Sequence, residues 1–283
     1  MNRTKRAGLA SETLEILDAG RYAVPGGGRV DISERLKDCL AGTRQFDPEE
    51  LRSIRDEALS RPDPSVETKI EVVNETTLAG IFHLCGLSAA GRVGALNFAS
   101  AKNPGGGFLG GSQAQEESLA RSSGLYKSLL QCPEYYSFHR SQHDALYSHR
   151  AIYSPGCPVF RNDAGELLAK PCVVDFFTCP APNAGAVRRN QPKETDRIVP
   201  VLRERATLVL GLALHFQVTD MVLGAWGCGV FKNDPKSVAE AFRDALCEDG
   251  PFAGRFRTVR FSVLDRSRAA ATLTAFGEAF KTG

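Results

Sequence analysis

The chain has no run approaching the ~20 consecutive apolar residues that a membrane span requires. Its first 17 residues, MNRTKRAGLASETLEIL, also lack the long apolar core of a secretory signal peptide. A strong charge of one sign is lacking too, because 35 Lys and Arg residues face 33 Asp and Glu residues, which leaves a formal net charge of +2. The electrostatic field of so small a net charge gives the protein no preference for nucleic acid. We therefore expect a cytoplasmic, soluble monomer with no membrane association and no direct nucleic-acid binding.

Cysteines at metal-binding or redox spacing are missing as well. The chain has eight cysteines but no Cys-x-x-Cys pair, which is typical of reduced thiols in a cytosolic protein. His139, His143 and His149 lie close together in sequence, yet no cysteine or carboxylate pattern accompanies them. We expect no metal and no cofactor.

A local basic bias occurs only in the last third of the chain, as two short clusters. They are Arg255, Arg257 and Arg260, followed by Arg266 and Arg268. Such clusters can help to hold a polyanion, although solvated surface charge is the commoner explanation. The residues alone leave both interpretations open.

The first part of the chain is polar and shows helical patterns. Helices are predicted over residues 11–17, 33–40 and 47–59, and prolines at 62 and 64 then break the chain. We expect residues 1–64 to form a helical N-terminal extension and residues 65–283 to form the catalytic domain.

Beyond residue 69 short apolar runs alternate with helical patterns. Strands are predicted over 70–73, 93–98, 173–177, 221–226 and 259–264, and helices over 77–84, 115–130, 195–216, 235–247 and 267–280. This alternation predicts an α/β layered domain with a largely parallel sheet. In such sheets ligands bind at the carboxyl ends of the strands, so the loops after residues 98, 177, 226 and 264 are the candidates.

The loop after residue 98 is the richest in chemistry. Its sequence over 97–112 is NFASAKNPGGGFLGGS, with five glycines among the seven residues 105–111. Glycines let backbone N–H groups approach a ligand closely, and the helix that follows presents a partly positive N-terminus. The loop suits a diphosphate, but it lacks the Gly-Lys-Ser/Thr ending of a P-loop.

Two adjacent carboxylates, Glu116 and Glu117, follow Gln115 at the start of that helix. On pattern alone a structural interpretation is favoured, because Ser112 with Gln115 fits a capping box and acids are stabilised in a first turn. The glycine turn immediately before them supports the alternative, in which the carboxylates meet a bound sugar.

A second glycine turn, at Gly227 and Gly229, lies between a predicted strand and a helix that starts at Pro235. It is either another phosphate-binding turn or a tight connection with Phe231 in the core. Two such turns together imply a ligand with two phosphates. Cys228 has no partner histidine that would activate a nucleophile. The turn-forming loop over 179–185 either lines the pocket or crosses the surface.

These motifs resemble the signature of the poly(ADP-ribose) glycohydrolases, which is a triple glycine, a short spacer and then Gln-Glu-Glu. Lys-Asn-Pro before the glycines is similar to the compact bacterial type, and GCGVF at 227–231 resembles the diphosphate loop of the macrodomain fold. The resemblance extends from about residue 65 to 280. It implies a macrodomain-like three-layer α/β/α fold, with a mixed, largely parallel sheet, plus the N-terminal helical extension.

The resemblance also implies residue roles. Glu117 would be the catalytic acid and base, Glu116 would orient the ribose through its hydroxyls, and Gln115 would shape the catalytic loop. The remaining residues would contact the ligand. Asn103 would contact the ribose, and the triple glycine would contact the diphosphate or the proximal ribose through Gly105, Gly106 and Gly107. In the second loop the diphosphate would be bound by the backbone N–H groups of Gly227, Gly229 and Val230, and Phe231 would pack against the ligand.

The implied reaction is hydrolysis of ribose–ribose bonds in poly(ADP-ribose), or in an ADP-ribosylated protein, with ADP-ribose as product and a place in the DNA damage response. A neighbouring carboxylate favours the protonated form of a catalytic acid, whereas a helix N-terminus favours the ionised form, so the residues leave that balance open. Two rivals share the fold: an ADP-ribose reader without turnover, for which an intact Glu pair is unexpected, and a mono-ADP-ribosyl hydrolase. A dinucleotide oxidoreductase is disfavoured, because no acidic residue follows at the end of a second strand.

Overall fold

The computed structural model of the chain describes residues 1–62, 67–87, 91–247 and 249–281. The strands in this part are β1 Arg21–Ala23, β2 Arg29–Asp31, β3 Arg44–Phe46, β4 Lys69–Val73, β5 Arg92–Phe98, β6 Ala151–Arg161, β7 Leu167–Cys179, β8 Val218–Leu223 and β9 Thr258–Ser262. The α-helices are α1 Arg3–Ala19, α2 Ser33–Gly42, α3 Pro48–Ser60, α4 Thr77–Leu87, α5 Gln115–Ser122, α6 Leu125–Leu129, α7 Pro133–Ser141, α8 Ala184–Asn190, α9 Ile198–His215, α10 Pro235–Leu246 and α11 Ala271–Ala279. Two 3-10 turns span Phe108–Gly110 and Pro192–Arg197.

Seven of these strands form one sheet in the order β3-β6-β7-β5-β8-β9-β4. The five strands from β7 to β4 pair in parallel, whereas β6 and β3 add antiparallel edge pairs. Successive side chains of a strand face opposite sides of a sheet, and β5 shows the consequence: Ala95 and Leu96 are both fully buried, in two different cores. The three-layer α/β/α architecture expected from the sequence is confirmed.

One core packs α3, α9, α10 and α11 against the sheet, and the other packs α2 and α4–α7 against its opposite face. The approach of α3 to α9 is close, because a Cβ at Gly211 would lie 2.8 Å from the Arg55 Cα. None of the described helices is long and apolar enough to cross a membrane.

The N-terminal part contains the predicted helices, but also strands that the helical pattern does not show. Strands β1 and β2 form a hairpin, and β3 joins the main sheet, where Phe46 pairs with Ala151 of β6. Helix α1 begins at Arg3 rather than near residue 11, because Asn2 caps it by accepting a hydrogen bond from the Lys5 N–H at 2.9 Å. The predicted domain boundary at residues 64 and 65 lies outside the described residues.

Strand β6 is the longest element that the sequence pattern missed. Pro155, Gly156 and Pro158 interrupt its apolar residues, and these residue types normally weaken a strand. The structure accommodates them by a register shift between Ser154 and Cys157, where Gly156 has a φ of +52°.

The predicted helix over 115–130 is divided in two. Helix α5 ends at Ser122, and Ser123 makes an isolated antiparallel bridge with Val159. Gly124 lies so close to α2 that a Cβ on it would be 2.9 Å from Leu36 Cδ1. The break lets α5 remain aligned with the end of β5 while α6 turns against β6.

Three of the five C-terminal basic residues, Arg255, Arg257 and Arg260, bond to other groups of the protein, whereas Arg266 and Arg268 are exposed. Arg257 donates to Asp220 at 2.9 Å, and Arg260 donates to Glu75 at 2.7 Å. Arg255 donates to the carbonyl of Arg61 at 2.8 Å. These guanidinium groups serve the fold.

Candidate active site

The carboxyl ends of β5 and β8 are neighbours, so the two glycine loops leave the sheet side by side. A Cβ at Gly224 would lie 3.2 Å from the Phe98 ring, which shows how closely the loops begin. In the first loop Gly105 and Gly106 have φ values of +68° and +59°, a region that L side chains rarely adopt. Asn103 is exposed beside them, and its carbonyl accepts the Gly106 N–H at 3.0 Å.

Gln115 joins the start of α5 to the end of β5. Its Oε1 accepts the Phe98 N–H at 2.9 Å, and its Nε2 donates to the Leu96 carbonyl at 2.8 Å. The expected capping box is wrong, because Ala114 is the N-cap residue and no side chain caps the helix. Gln115 does not cap the helix but bonds to β5, and it thereby fixes the position of the two glutamates that follow it.

Glu116 points back into the protein and is only 3% exposed. Its Oε2 accepts the Ser100 N–H at 2.7 Å and its Oε1 accepts from Asn97 Nδ2 at 3.2 Å. Burial raises the pKa of this carboxyl to about 8, even though both hydrogen bonds favour the charged form. Glu116 is therefore largely protonated at neutral pH.

Glu117 turns the other way, into the glycine loop, and is partly exposed. Its Oε1 accepts the Gly107 N–H at 3.1 Å. A Cβ at Gly106 would lie 2.4 Å from the same oxygen, so the loop can approach this carboxylate only because residue 106 is a glycine. The structure thus separates the pair into one buried carboxyl and one that faces the loop.

Helix α1 supports the first loop from outside, which the sequence did not indicate. Arg3 Nε donates to the Gly110 carbonyl at 2.9 Å and Arg6 Nε donates to the Gly111 carbonyl at 2.7 Å. A Cβ at Gly111 would lie 2.3 Å from the Arg3 carbonyl oxygen. The fully buried Phe108 packs against Ala10 of the same helix. The glycine at 111 therefore serves helix packing, whereas Gly106 and Gly107 lie against the Glu117 carboxylate.

The shape of the second loop is set by a contact between its two ends, Gly227 and Asn233. Gly227, with a φ of +71°, would place a Cβ 2.5 Å from Asn233 Nδ2, and the Asn233 N–H closes the loop on the Gly227 carbonyl at 3.1 Å. Val230 at the tip is 76% exposed. Among the described residues no hydrogen bond uses the backbone N–H groups of Gly227, Gly229, Val230 or Phe231. Unused N–H groups in a concave turn are suited to an anion.

The comparisons with known proteins agree with this geometry. The model of the microbial-type poly(ADP-ribose) glycohydrolase (PARG) catalytic domain matches residues 10–162. The PARG of Thermomonospora curvata has 49% sequence identity and a TM-score of 0.94, and the match covers 98% of this chain and 100% of that one. This chain belongs to the microbial-type PARG family.

Two ligand complexes of PARG relatives are also similar. The T. curvata enzyme bound to the inhibitor ADP-HPD has 48% identity and a TM-score of 0.91, with 98% and 100% of the chains covered. The Deinococcus radiodurans PARG in complex with ADP-ribose has 48% identity and a TM-score of 0.82, with 92% and 99% covered. The comparison with curated proteins gave no match. Fold and family together make this protein a poly(ADP-ribose) glycohydrolase.

The loop over 179–185, left open by the sequence, lies beneath the second loop of this PARG. The Cys179 carbonyl accepts from Trp226 Nε1 at 3.1 Å, and the Pro182 carbonyl accepts from Asn233 Nδ2 at 2.8 Å. Burial raises the pKa of the Cys228 thiol to about 12, which leaves it protonated and disfavours a nucleophilic role.

A buried arginine that the sequence did not single out organises the same region. Arg205 of α9 is fully buried and donates to the Pro180 carbonyl at 2.6 Å and to the Leu146 carbonyl at 3.0 Å. These loops in turn position Tyr147, whose ring centroid lies 5.9 Å from that of Phe231. Arg205 lies in the middle of α9, where nothing in the sequence distinguishes it from an exposed helical arginine. Only its complete burial in the structure identifies it as an organising residue.

Of the three histidines in the sequence cluster, His139 is held inside the protein. His139 is fully buried between the Tyr135 carbonyl, 2.9 Å from Nδ1, and the Ser148 hydroxyl, 2.8 Å from Nε2. Burial lowers the pKa of His139 to about 4. In the part of the chain that the structure describes, no group of three metal-type side chains comes together.

Proposed function

We propose that this PARG cleaves ribose–ribose glycosidic bonds of poly(ADP-ribose), releasing ADP-ribose, and that Glu117 is both acid and base. The observation that carries the assignment is the contact of Glu117 with the Gly107 N–H, in a loop that adjoins a second loop with backbone N–H groups that form no hydrogen bond among the described residues. In this arrangement Glu117 would face the ribose that is attached to the bound diphosphate.

In the first step Glu117 gives its proton to the leaving 2′-oxygen of the neighbouring unit, and the bond from that oxygen to the anomeric carbon breaks. The cation that develops on the ribose is stabilised by the negative diphosphate nearby. Ionised Glu117 then takes a proton from water as the water oxygen bonds to the anomeric carbon. One carboxyl changes protonation twice, so the two-carboxylate scheme of most glycosidases is not required.

Glu116 acts on the substrate without exchanging a proton. Its buried carboxyl is held by Ser100 and Asn97, and it is largely protonated at neutral pH. A protonated carboxyl both donates and accepts hydrogen bonds. It can therefore bind a ribose hydroxyl and orient the sugar against Glu117 without adding a second negative charge.

Some of the ligand contacts proposed from the sequence have the exposure that their roles require, whereas Gly105 is buried and the Gly106 and Gly107 N–H groups donate within the loop region. The backbone N–H groups of Gly227, Gly229 and Val230 are available for the diphosphate, and Asn103 is exposed beside the triple glycine for the ribose. Phe231 is half-buried, with its ring centroid 5.9 Å from that of Tyr147. The relatives crystallised with ADP-ribose and ADP-HPD support a ligand of this class.

We include in the proposal a cytoplasmic monomer that acts on polymer or on ADP-ribosylated protein, in the DNA damage response. The eight cysteines, with no Cys-x-x-Cys spacing among them, are compatible with a reducing compartment.

The deciding experiment compares three substrates with one protein preparation: defined-length poly(ADP-ribose), a protein carrying single ADP-ribose units, and free ADP-ribose. A polymer hydrolase releases ADP-ribose from the first, measured by chromatography, and leaves the second largely intact. Binding of ADP-ribose without release from either substrate would identify a reader instead. Faster release from the singly modified protein would identify a mono-ADP-ribosyl hydrolase.

A further inference from the structure

Several basic residues beside the two glycine loops differ from those at the amino end of the sheet in having no carboxylate partner in the described part of the chain. At the amino end Arg92 binds Asp175 at 2.7 Å, and Arg257 binds Asp220. The five that lie on or beside the glycine loops at the carboxyl end are here called the basic rim: Lys102, Arg140, Arg150, Arg188 and Lys232. Within the described residues none of the five forms an ion pair with a carboxylate.

The rim begins on the catalytic loop. Lys102 is one residue before Asn103, and Arg140 Nη1 donates to the Lys102 carbonyl at 2.8 Å. Arg140 comes from the last turn of α7 and is exposed. Its guanidinium group therefore adjoins the loop that holds Glu117, with its remaining donors directed to solvent.

Aromatic rings connect this start to the second loop. Arg150 lies over the Phe138 ring at 4.3 Å, and the His139 ring is 6.0 Å from that of Tyr147. Tyr147 in turn contacts Phe231.

The far end of the rim lies on the second loop. Arg188 Nη1 donates to the Lys232 carbonyl at 3.1 Å. The rim thus has members beside both glycine loops.

We propose that the basic rim binds the diphosphate of the ADP-ribose unit next to the one held in the catalytic pocket, with Lys102 and Arg140 as its centre. The inference rests on the proposed function, because it takes Glu117 as the point of cleavage. The adjacent unit is attached at the bond being broken, and its diphosphate follows one ribose further along the chain. Of the rim residues, Lys102 lies on the catalytic loop and Arg140 bonds to it, so these two are the rim cations nearest the proposed point of cleavage.

Basic side chains without carboxylate partners, such as those of the basic rim, are suited to binding a diphosphate. Unpaired cations attract a polyanion and speed its capture, and they do so without the cost of first breaking an ion pair. The overall net charge of +2 gives no general attraction to nucleic acid, so a local band at the catalytic loop favours the polymer that the same loop cleaves.

The test measures binding, so that it does not depend on turnover. In the Glu117→Gln background, dissociation constants are measured for defined-length poly(ADP-ribose) and for ADP-ribose, with and without Lys102→Glu and Arg140→Glu together. We expect the ratio of polymer affinity to ADP-ribose affinity to fall about tenfold, and the salt dependence of polymer binding to weaken. Lys102→Arg with Arg140→Lys keeps both charges and should keep the ratio.

The matched control reverses two exposed cations, Arg35→Glu with Lys37→Glu, on α2. An unchanged ratio in the rim variant, or an equal fall in the control, would overturn the proposal. Equal competition by single-stranded RNA of the same charge would also overturn it, by assigning the rim to nucleic acid. Hydrolysis of polymer by the unsubstituted enzyme is scored separately, so failure of the proposed function is distinguishable from failure of the rim.

Discussion

The backbone N–H of Gly107 donates to Glu117 Oε1 at 3.1 Å. This bond couples the carboxylate that we propose as catalytic to the glycine loop, so a change in the loop backbone moves the carboxylate. The same loop is fixed at its other end by Arg3 and Arg6 of α1. Loop geometry and catalysis are therefore linked, and each link can be tested.

Gly106→Ala should reduce activity far more than stability. The added Cβ would lie 2.4 Å from Glu117 Oε1, so the carboxylate must move from its place. We expect kcat to fall by about 100-fold, since ångström-scale misplacement costs that much. The positive φ costs the fold about 1–2 kcal/mol. Polymer turnover and urea unfolding measure the two effects.

Gly8→Ala is the control for this substitution, because Gly8 lies in α1 with no atom within 4 Å of its would-be Cβ. It should leave kcat unchanged. A Gly106→Ala enzyme with near-native kcat would show that the loop does not position Glu117.

Glu116 should make the fold less stable as pH rises. Its pKa is about 8 in the folded protein and near 4.5 when unfolded. The folded state therefore binds the proton more tightly, and that stabilisation is complete below pH 4.5 and is lost as pH rises towards 8. Glu116→Gln removes this contribution, because the amide does not titrate.

The measurement is the free energy of unfolding in urea at pH 5 and pH 8 for both proteins. The unsubstituted enzyme should lose about 2 kcal/mol or more over this interval relative to Glu116→Gln. Parallel pH profiles for the two proteins would mean that Glu116 is ionised in the fold.

Arg6→Ala should slow catalysis through the loop. Arg6 holds the Gly111 carbonyl at 2.7 Å, and its loss frees one end of the segment that carries Gly107. We expect kcat to fall about tenfold and the unfolding free energy to fall by about 1 kcal/mol. Lys5→Ala changes an exposed side chain on the same helix and should alter neither quantity. Equal effects of the two substitutions would limit α1 to a general role in stability.

Gly227→Ala should weaken ligand binding. Its φ of +71° and the 2.5 Å approach of a Cβ to Asn233 Nδ2 mean that the second loop must open. Calorimetry with ADP-ribose should show affinity reduced by about tenfold or more, as backbone donors to the diphosphate separate. Gly277→Ala, with nothing within 4 Å, is the control. Unchanged affinity would place the diphosphate elsewhere.

The sequence sufficed where residue type determines conformation. Glycines 105–107 and 227 predicted the two loops, and alternating patterns predicted β5, β8 and β9 to within a few residues at each end. The family resemblance predicted a loop-shaping role for Gln115, which stays a prediction, and its bonds to β5 are visible only in the fold.

The rest depends on contacts between residues distant in sequence. The division between Glu116 and Glu117 follows from which carboxyl is buried, and adjacent positions in a helix give no hint of that. Strand β6 was missed because Pro155 and Pro158 hide its pattern, and Arg205 because a buried arginine is identical in sequence to an exposed one. Phe46 enters the sheet through pairing with Ala151, some hundred residues later.

The role of Glu117 is tested most directly by Glu117→Gln, which keeps the size of the side chain and its acceptor for Gly107 but removes the proton it transfers. Polymer hydrolysis and ADP-ribose affinity are measured on the same preparation. The account predicts that kcat falls by about 1000-fold or more, because loss of general acid and base action costs 10²–10⁴-fold for each, while the dissociation constant for ADP-ribose changes less than about threefold. Near-native turnover of the Gln variant would contradict it.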